Sequence, residues 1–524
     1  MPTIADAYAA AVQHHQAGRL VEAEQIYHQI LSIVPRHAPT MHMLGVAALQ
    51  NGKLQMAAEC IQRAIEWQSG DATFHNNLGL VRRTQGRGTE AAACFREALR
   101  LSPNNADALR NLGLMLKEQG QFEEAIVYYR RALEANPALA ETHSNLGNAL
   151  SDLGQFDEAI AEYHRALEIR PEFPEANNNL GNAYKLLLRL DEAAVCYRQA
   201  IELRPDYANA HWNLSHTLLV QGDWQQGWRE YEWRWRTPRF APKSHSQPLW
   251  KGEGFGGKTL LLHREQALGD TIQFIRYAPL IKQRGGTVIV ECQKSLLGLL
   301  CDCPGIDQLV GEGETLPHYD LQAPLLSAPG IFETTSETIP ALIPFIIPRP
   351  DLLAQWANRL RSVEGFKIGI HWQGSREYYY DRFRSIPLHN FAPLAQIPGV
   401  RLISLQKGEG ADQVDKVRNQ FPVIDEFARE MDVHTGPFID TAAIMKKLDL
   451  VISSDTATVH LAGTLGVPVW VALPYSPDWR WLLDRTDSPW YPTMRLFRQR
   501  KFDNWSDVFE ELRKAVVERM SSLT

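Results

Sequence analysis

The hydrophobic and polar positions of the 524-residue chain follow two different patterns. Up to about residue 237, small and apolar residues recur at helical spacing between turns that contain Gly or Pro, and this predicts paired helices. From about residue 258, short apolar runs alternate with helical segments, which is typical of buried parallel strands and their connecting helices. The pattern therefore predicts a helical array followed by an α/β part.

The first part repeats with a period of 34 residues, and seven units start at residues 4, 38, 72, 106, 140, 174 and 208. Leu-Gly pairs, alanines, aromatic residues and closing prolines recur at this spacing, although the last unit has Ser215, Gly227 and Arg234 at the positions of Gly, Ala and Ala. The small residues let neighbouring helices approach closely, and stacking of the hairpins supplies the core. This is the tetratricopeptide pattern, and the resemblance implies an α-solenoid over residues 4–237 that forms a right-handed superhelix.

An asparagine precedes the recurring leucine in five units, at Asn77, Asn111, Asn145, Asn179 and Asn213. Carboxamides offer paired donors and acceptors, which can hold the backbone of an extended polypeptide. Similar asparagine ladders line the superhelix of the O-linked N-acetylglucosamine transferases. We therefore predict a polypeptide partner; the alternative is that these side chains satisfy contacts between helices.

The repeats are followed by a segment rich in tryptophan (Trp224, Trp228, Trp233 and Trp235) and then by several prolines. We interpret the tryptophans as the packing of the last helix against the next domain. The prolines predict a linker at residues 238–257.

Continuous apolar runs predict strands at residues 259–263, 287–290, 308–310, 366–371, 400–405, 448–452 and 468–473. Their alternation with helices predicts two Rossmann-like lobes, a short one at 258–345 and a second at 346–524. In such sheets ligands bind beyond the carboxyl ends of the strands.

Three loops at these strand ends carry candidate site residues. Gly269 and Asp270 follow the first strand, and Asp270 is either a helix N-cap or a general base that faces the cleft. Gly374 and Ser375 follow the strand at 366–371, where free N–H groups suit a phosphate. Arg384 and Lys407 are candidates to neutralise a diphosphate; the alternative is that both are solvated surface charges.

The third loop, residues 453–462, leads from a strand into a helix. Asp455, Thr456 and Ala457 either cap that helix or form an anion site, and His460 is either a packing group or a ligand contact.

The GD step at Gly269-Asp270 and the run DTATVHLAGTLGVPVWV from residue 455 resemble the heptosyltransferase-type glycosyltransferases over residues 258–500. That family implies a GT-B fold and inverting transfer without a metal. It implies that Asp270 is the base on the acceptor, that Asp455, Thr456 and His460 contact the donor, and that Arg384 pairs with its phosphate. Ala457 stands where the family has Gly, and Ile386 where it has Trp.

These observations predict a glycosyltransferase whose repeats hold the acceptor. Its co-substrate is a nucleotide sugar, and no further cofactor or metal is expected, since the chain has no DxD triplet. The alternatives are a nucleotide-binding but inactive scaffold and a scaffold that binds no nucleotide. A dinucleotide-dependent oxidoreductase is disfavoured because neither lobe opens with GxGxxG.

The composition bears on the partners of the protein and on its location. The chain carries 54 Lys and Arg against 61 Asp and Glu, a net charge of −7, so a basic footprint for nucleic acid is missing. No run of 18 apolar residues predicts a membrane span. With six cysteines and no signal-peptide pattern at the N-terminus, we expect reduced thiols and a soluble, cytoplasmic protein.

Overall fold

The computed structural model describes residues 3–237, 245–377 and 381–522. The chain forms two compact units, one that ends at Tyr184 and one that begins at Lys185. Within the described residues, no helix combines the length and the apolarity needed to cross a membrane.

The repeats form seven helical hairpins, and the first helix of each hairpin begins at one of the seven residues at which the units start. The repeat helices are α1 Ile4–Gln16, α2 Leu20–Ile33, α3 Ala38–Gln50, α4 Leu54–Trp67, α5 Ala72–Thr84, α6 Gly88–Leu101, α7 Ala106–Glu118, α8 Phe122–Ala135, α9 Ala140–Asp152, α10 Phe156–Ile169, α11 Pro174–Leu186, α12 Leu190–Leu203, α13 Ala208–Val220 and α14 Trp224–Tyr231.

The recurring glycine lets an aromatic ring lie directly on the first helix of a hairpin. A Cβ placed on Gly147 would lie 2.6 Å from Cε1 of Tyr163, and one on Gly113 would lie 2.8 Å from Cε1 of Tyr129. Both tyrosines are buried. The 34-residue pattern of small and aromatic residues is therefore a packing pattern.

We expect Gly147→Ala to destabilise the first unit by about 1–3 kcal/mol, because the new methyl group overlaps the ring of Tyr163. Gly70→Ala is the matched control, since a Cβ there would have no heavy atom within 4 Å. Thermal unfolding followed by circular dichroism measures both. Equal effects of the two substitutions would contradict the packing role of Gly147.

The last repeat helices, α12 to α14, belong to the second unit. The rings of Trp228 and Trp479 are 5.2 Å apart in an edge arrangement, and the indole N–H of Trp228 donates to the main-chain oxygen of Thr334 at 2.8 Å. This packing confirms the interpretation of the tryptophan-rich segment. It also explains why the compact units divide at residue 184, inside the range 4–237 predicted for the solenoid.

Residues 238–244 of the predicted linker lie outside the described residues. From His245 onward the segment packs against the α/β part: the Trp250 amide donates to the main-chain oxygen of Gln322 at 2.8 Å, and the Trp250 side chain is buried. The prediction of a linker up to residue 257 needs correction here, because burial of Trp250 and Phe255 fixes residues 249–257 to the first lobe.

Two parallel sheets form the α/β part. The strands are β1 Thr259–His263, β2 Thr287–Cys292, β3 Gln308–Gly311, β4 Leu321–Pro324, β5 Phe366–His371, β6 Val400–Ser404, β7 Leu450–Ser454, β8 Val469–Leu473 and β9 Met494–Arg498. Their orders are β3-β2-β1-β4 and β6-β5-β7-β8-β9, with every pairing between strands parallel. An α/β architecture with parallel strands is what the sequence predicted.

The sequence missed two strands, β4 and β9, and both lie at an edge of their sheet. Polar residues interrupt both strands, Gln322 in β4 and Arg495 and Arg498 in β9. Neither strand therefore has the continuous apolar run that identifies a buried parallel strand.

Short helices connect and cover the strands. They are α15 Leu268–Phe274, α16 Ala278–Lys282, α17 Leu297–Leu300, α18 Ala328–Ile331, α19 Pro350–Leu360, α20 Asp381–Arg384, α21 Ala392–Ala395, α22 Gln413–Val417, α23 Glu426–Glu430, α24 Ile439–Met445, α25 Ala457–Thr464 and α26 Ser506–Ser521.

Candidate functional site

The loops that follow β1 and β7 lie against each other. A Cβ placed on Gly269 would lie 3.0 Å from Cδ2 of His460 and 3.3 Å from Cα of Ala457, and helices α15 and α25 are in contact. Glycine at position 269 therefore permits the close approach of one lobe's loop to the other lobe's helix. The carboxyl ends of the two sheets meet at this point, where ligands bind in open α/β sheets.

Asp270 projects from the first of these loops and is mostly buried. Its Oδ1 accepts a hydrogen bond from Nη2 of Arg480 at 2.5 Å, and its Oδ2 accepts one from the amide of Ala267 at 3.0 Å. Burial raises the pKa of the Asp270 carboxyl, and the positive charge of Arg480 opposes this. The side chain thus takes part in the helix cap, with Ala267 as the N-cap residue and Asp270 as the third residue of the helix, and it also faces the second lobe. Its role as a general base stays a prediction.

Arg480 is the hydrogen-bonding centre of the site, and the sequence analysis did not single it out. Besides Asp270, its guanidinium donates to Oδ1 of Asp478 at 2.9 Å and to Oε1 of Gln273 at 2.5 Å. A signal was present in the sequence: the run Asp-Trp-Arg-Trp at 478–481 closely follows the buried strand β8. Charged residues between tryptophans at the carboxyl end of a strand indicate a buried polar site.

Arg384 joins the loop after β5 to the loop after β7. Its Nη1 donates to the main-chain oxygen of Asp455 at 2.8 Å, and its Nε donates to Oδ1 of Asp381 at 3.1 Å. A Cβ on Gly374 would lie 2.6 Å from Nη2 of Arg384, so glycine at 374 makes room for the guanidinium. The structure thus brings together Gly374, Arg384 and Asp455, three of the residues for which the sequence predicted donor contacts.

We call Asp270, Asp455, Asp478, Arg384 and Arg480 the ionic cluster. Burial, followed by the negative charge of Asp478, raises the pKa of Asp455 to about 6. Burial also acts to raise the pKa of Asp478, but Arg480 outweighs it, so that this carboxyl stays ionised. The Asp455 carboxyl therefore changes its charge close to neutral pH.

Thr456 and two histidines line the cluster. The hydroxyl oxygen of Thr456 lies 3.3 Å from Nδ1 of His371, and burial together with the charge of Arg384 lowers the pKa of His371 to about 3. His460 stacks on Trp481, and its Nδ1 lies 3.0 Å from the hydroxyl oxygen of Tyr491. Burial holds the pKa of His460 well below its usual value. Both imidazoles are therefore neutral hydrogen-bonding groups at physiological pH.

Several buried donors beside the cluster have no acceptor among the described residues. These are Nε2 of Gln273 and the indole nitrogens of Trp479 and Trp490. Trp479 and Trp490 are edge to face at 5.9 Å, and Gln273 is bonded to Arg480. An unsatisfied buried donor costs about 1–3 kcal/mol, so these groups lower the stability of the fold beside the cluster.

A cavity of about 410 Å³ opens beside Arg384, and its described lining is mainly polar. The lining residues are Gln373, Arg376, Asp381, Arg382, Ser385, Ile386, Pro387 and Gln413. Ser385 connects the cavity to the site, because its hydroxyl donates to Asp381 and accepts from the amide of Gly374.

Two predicted donor residues have other contacts. The ammonium of Lys407, an exposed residue, donates to the main-chain oxygen of Met431. Ser375 is exposed as well, and its hydroxyl accepts from the amide of Glu377 at 3.3 Å. Neither side chain has a recorded bond to the ionic cluster within the described residues.

The predicted asparagine ladder takes part in contacts between repeats. Nδ2 of Asn111 donates to Oδ1 of Asn76 at 2.9 Å, and Nδ2 of Asn77 lies 2.8 Å from Nε2 of His42. Asn111 is buried, whereas Asn77, Asn145, Asn179 and Asn213 are half-buried. For Asn77 and Asn111, the structure supports the alternative, in which these side chains satisfy contacts between helices. The four half-buried asparagines keep part of their surface accessible.

Comparison with known proteins identifies the repeat part. Models of the family described as "Tetratricopeptide repeat" match residues 38–71, 71–138 and 128–161, and a model described as "TPR repeat" matches residues 147–187 and 189–222. Protein FlbA of Caulobacter vibrioides is 26% identical over 315 residues, which are 55% of this chain and 51% of FlbA. The chain thus spans about half the length of this curated relative.

Solved structures are similar to part of the chain. YrrB, described as a TPR protein with an unusual peptide-binding site, is 26% identical, with 35% of this chain and 95% of that chain covered and a TM-score of 0.31. The Cut9–Hcn1 hetero-tetramer of the APC/C is 17% identical, with coverages of 41% and 43% and a TM-score of 0.39. From the family models, residues 38–187 and 189–222 are tetratricopeptide repeats, and this part of the chain is a protein-interaction scaffold.

Proposed function

We propose that the unit from Lys185 onward is an inverting, metal-independent glycosyltransferase of GT-B type, which moves a sugar from a nucleotide-sugar donor to a polypeptide bound by the repeats. The observation that carries this proposal is the ionic cluster, in which Asp270 of one lobe meets Arg480 and the loop of Asp455 from the other. A carboxylate and cationic groups on facing lobes are what transfer between an acceptor hydroxyl and a diphosphate needs.

Asp270 is the proposed base. Each of its carboxylate oxygens accepts one hydrogen bond from the protein and retains a lone pair. The acceptor oxygen forms a bond to the anomeric carbon as its proton passes to Asp270. The bond from that carbon to the diphosphate oxygen breaks at the same time, and the diphosphate leaves with the electron pair.

Arg384, Arg480 and the hydroxyl of Thr456 are the proposed groups that stabilise the leaving diphosphate. The polar cavity beside Arg384 has the size and the hydrogen-bonding groups for a nucleoside.

A second function, nucleotide binding without transfer, is favoured by one contact. Arg480 already pairs with Asp270, and such a pair makes the carboxylate a weaker base. Substitution of Asp270 separates the two functions, because transfer needs a base and nucleotide binding does not.

Binding of nucleotide sugars tests the site itself. A diphosphate placed beside the cluster raises the pKa of Asp455 further above 6, so binding takes up a proton. We therefore expect affinity to rise as pH falls from 8 to 6, by up to about tenfold per pH unit, and to level off below 6. Isothermal calorimetry with a panel of nucleotide sugars measures this, and the diphosphate diester of these ligands does not titrate in this range.

Asp455→Asn is the matched control, and its affinity should lose this pH dependence. In the parent, burial raises the pKa of Asp455 in the folded state above its unfolded value of 3.8. The folded state therefore loses stability as pH rises from about 4 to about 6, where Asp455 would already be ionised in the unfolded chain. The variant should therefore unfold at no lower temperature than the parent at pH 7.5. If no nucleotide sugar binds the parent at any pH, the proposed transferase is wrong.

A further inference from the structure

A cavity of about 580 Å³ lies in the first compact unit, between the fourth and the fifth repeat. Residues of α8, α9 and α10 line it, and two of them, His143 and Leu146 of α9, are buried. His143 comes two residues before Asn145 and therefore lies on nearly the opposite side of α9 from the predicted asparagine ladder. The cavity is thus separate from the surface to which the sequence assigned a polypeptide.

The imidazole of His143 is held in one orientation by two partners. Its Nδ1 lies 2.6 Å from Oε2 of Glu162, and its Nε2 lies 3.1 Å from the main-chain oxygen of Pro137. Because both ring nitrogens have partners, a ligand in the cavity would meet a face of the ring.

The seventh repeat has the same three groups at the same positions, two repeats later in the chain. Nδ1 of His211 lies 2.5 Å from Oε2 of Glu230, and Nε2 of His211 lies 3.1 Å from the main-chain oxygen of Pro205. Here the indole of Trp233 stacks on the imidazole, with ring centroids 3.7 Å apart and an angle of 2° between the ring planes. The seventh repeat therefore supplies its own aromatic ring to this histidine.

In the fifth repeat, Arg165 stands at the position of Trp233, and the cavity lies beside the imidazole. Arg165 forms an ion pair with Glu162, and its side chain is 58% exposed. The guanidinium can therefore move over a ring that enters the cavity. Arg236 has this arrangement in the seventh repeat, where its guanidinium carbon lies 4.4 Å from the ring centroid of Trp233.

We propose that the cavity beside His143 binds a tryptophan side chain of a partner polypeptide, which stacks on the imidazole as Trp233 stacks on His211. The cavity volume lies within the range of about 300–1,000 Å³ that is typical of binding pockets, and tryptophan is a frequent anchor of protein interfaces. The proposal deepens the polypeptide-binding part of the proposed function, on which it rests, and it needs no sugar transfer.

Two pentapeptides test the cavity on the full chain: acetyl-Gly-Gly-Trp-Gly-Gly-amide and the same peptide with leucine in place of tryptophan. Nuclear magnetic resonance of isotope-labelled histidine rings follows His143, whose signals are assigned by their loss in His143→Gln. We expect the tryptophan peptide to shift these signals, with half-saturation at or below about 10 mM, and the leucine peptide to bind at least about tenfold more weakly. Signals of His143 that the tryptophan peptide leaves unmoved would overturn the proposal.

Arg165→Trp places an indole at the position that Trp233 has in the seventh repeat. We expect this indole to shift the signals of His143 before any peptide is added, and to weaken binding of the tryptophan peptide by at least about tenfold. The unfolding temperature of the variant should be no lower than that of the parent, which excludes misfolding as the cause. Equal affinity of the parent and Arg165→Trp would contradict the proposed binding site.

His143→Ala should also weaken binding of the tryptophan peptide by about tenfold. His75→Ala is the matched control and should leave the affinity within about twofold of the parent. His75 has the same place in the third repeat, and its Nε2 lies 3.0 Å from the main-chain oxygen of Ser69, but Cys94 stands where the fifth repeat has its glutamate. Equal effects of the two substitutions would remove His143 from the site.

These experiments also separate the cavity from the transfer site. If the tryptophan peptide does not bind, the proposal for the cavity fails and the proposed transferase stands. Binding of the peptide by a protein that transfers no sugar would support the cavity and refute only the transferase. Self-association of the parent that Arg165→Trp abolishes would show that a second copy of this chain fills the cavity, and it would overturn the proposal of a separate partner.

Discussion

Replacing Arg480 with methionine is expected to lower the free energy of unfolding of the second unit by about 3–5 kcal/mol. Arg480 is a buried cation bonded to two partly buried carboxylates, those of Asp270 and Asp478. Its removal leaves both charges without their shared partner, and the hydrocarbon of methionine supplies no hydrogen bond. Urea unfolding followed by tryptophan fluorescence measures the loss, because 13 of the 14 tryptophans follow Lys185.

Arg485→Met is the control for this experiment. Arg485 pairs with Asp487, whose side chain is 68% exposed, and exposed ion pairs contribute about 0–1 kcal/mol. Arg480→Lys should fall between the two, because a single ammonium cannot hold both carboxylates with the fork geometry of arginine. If Arg480→Met and Arg485→Met lowered the free energy of unfolding by similar amounts, Arg480 would not be a cation that compensates the carboxylates of the ionic cluster.

Asp270→Asn is expected to lower the rate of sugar transfer by about 10²–10⁴ while nucleotide-sugar binding persists. The carboxamide oxygen can still accept the hydrogen bond from Ala267, but the side chain can no longer take the acceptor proton. Transfer of labelled sugar to polypeptide and calorimetric binding of the donor measure the two properties on the same preparation.

Asp307→Asn is the matched control for this substitution. Asp307 also bonds an amide, that of Val288 at 2.7 Å, and pairs with Lys282, but it lies at the amino end of β2. Its loss should leave the transfer rate within about twofold of the parent. Equal transfer by the parent and Asp270→Asn would exclude Asp270 as the base. Donor binding without any transfer by the parent would favour the inactive scaffold.

The sequence predicted most elements that depend on near neighbours in the chain. The small residue of each repeat helix, as at Gly147, allows the ring of Tyr163 to approach, and both positions belong to one 34-residue unit. Central strands such as β1 and β8 are apolar on both faces, so their runs are continuous in the sequence. Strands β4 and β9 lack this signal, because Gln322 interrupts the first and Arg495 and Arg498 interrupt the second.

The candidate site was predictable only in part. The loops after β1, β5 and β7 follow recognisable strands, which is why Asp270, Arg384 and Asp455 could be named. Arg480 lies 210 residues from Asp270 in the sequence. The run Asp-Trp-Arg-Trp at 478–481 is a local signal of a buried polar site, but it does not show that Arg480 meets Asp270.

The sequence by itself determined the repeats and the α/β character of the second part, because helical period, small residues and apolar runs act over short stretches of chain. Only the tertiary structure decided which charges meet. The ionic cluster brings together side chains from the loops after β1, β5, β7 and β8, and their pKa values depend on burial and on charges that are distant in sequence. Electrostatic interactions act through space, so the chemistry of this site is fixed by folding.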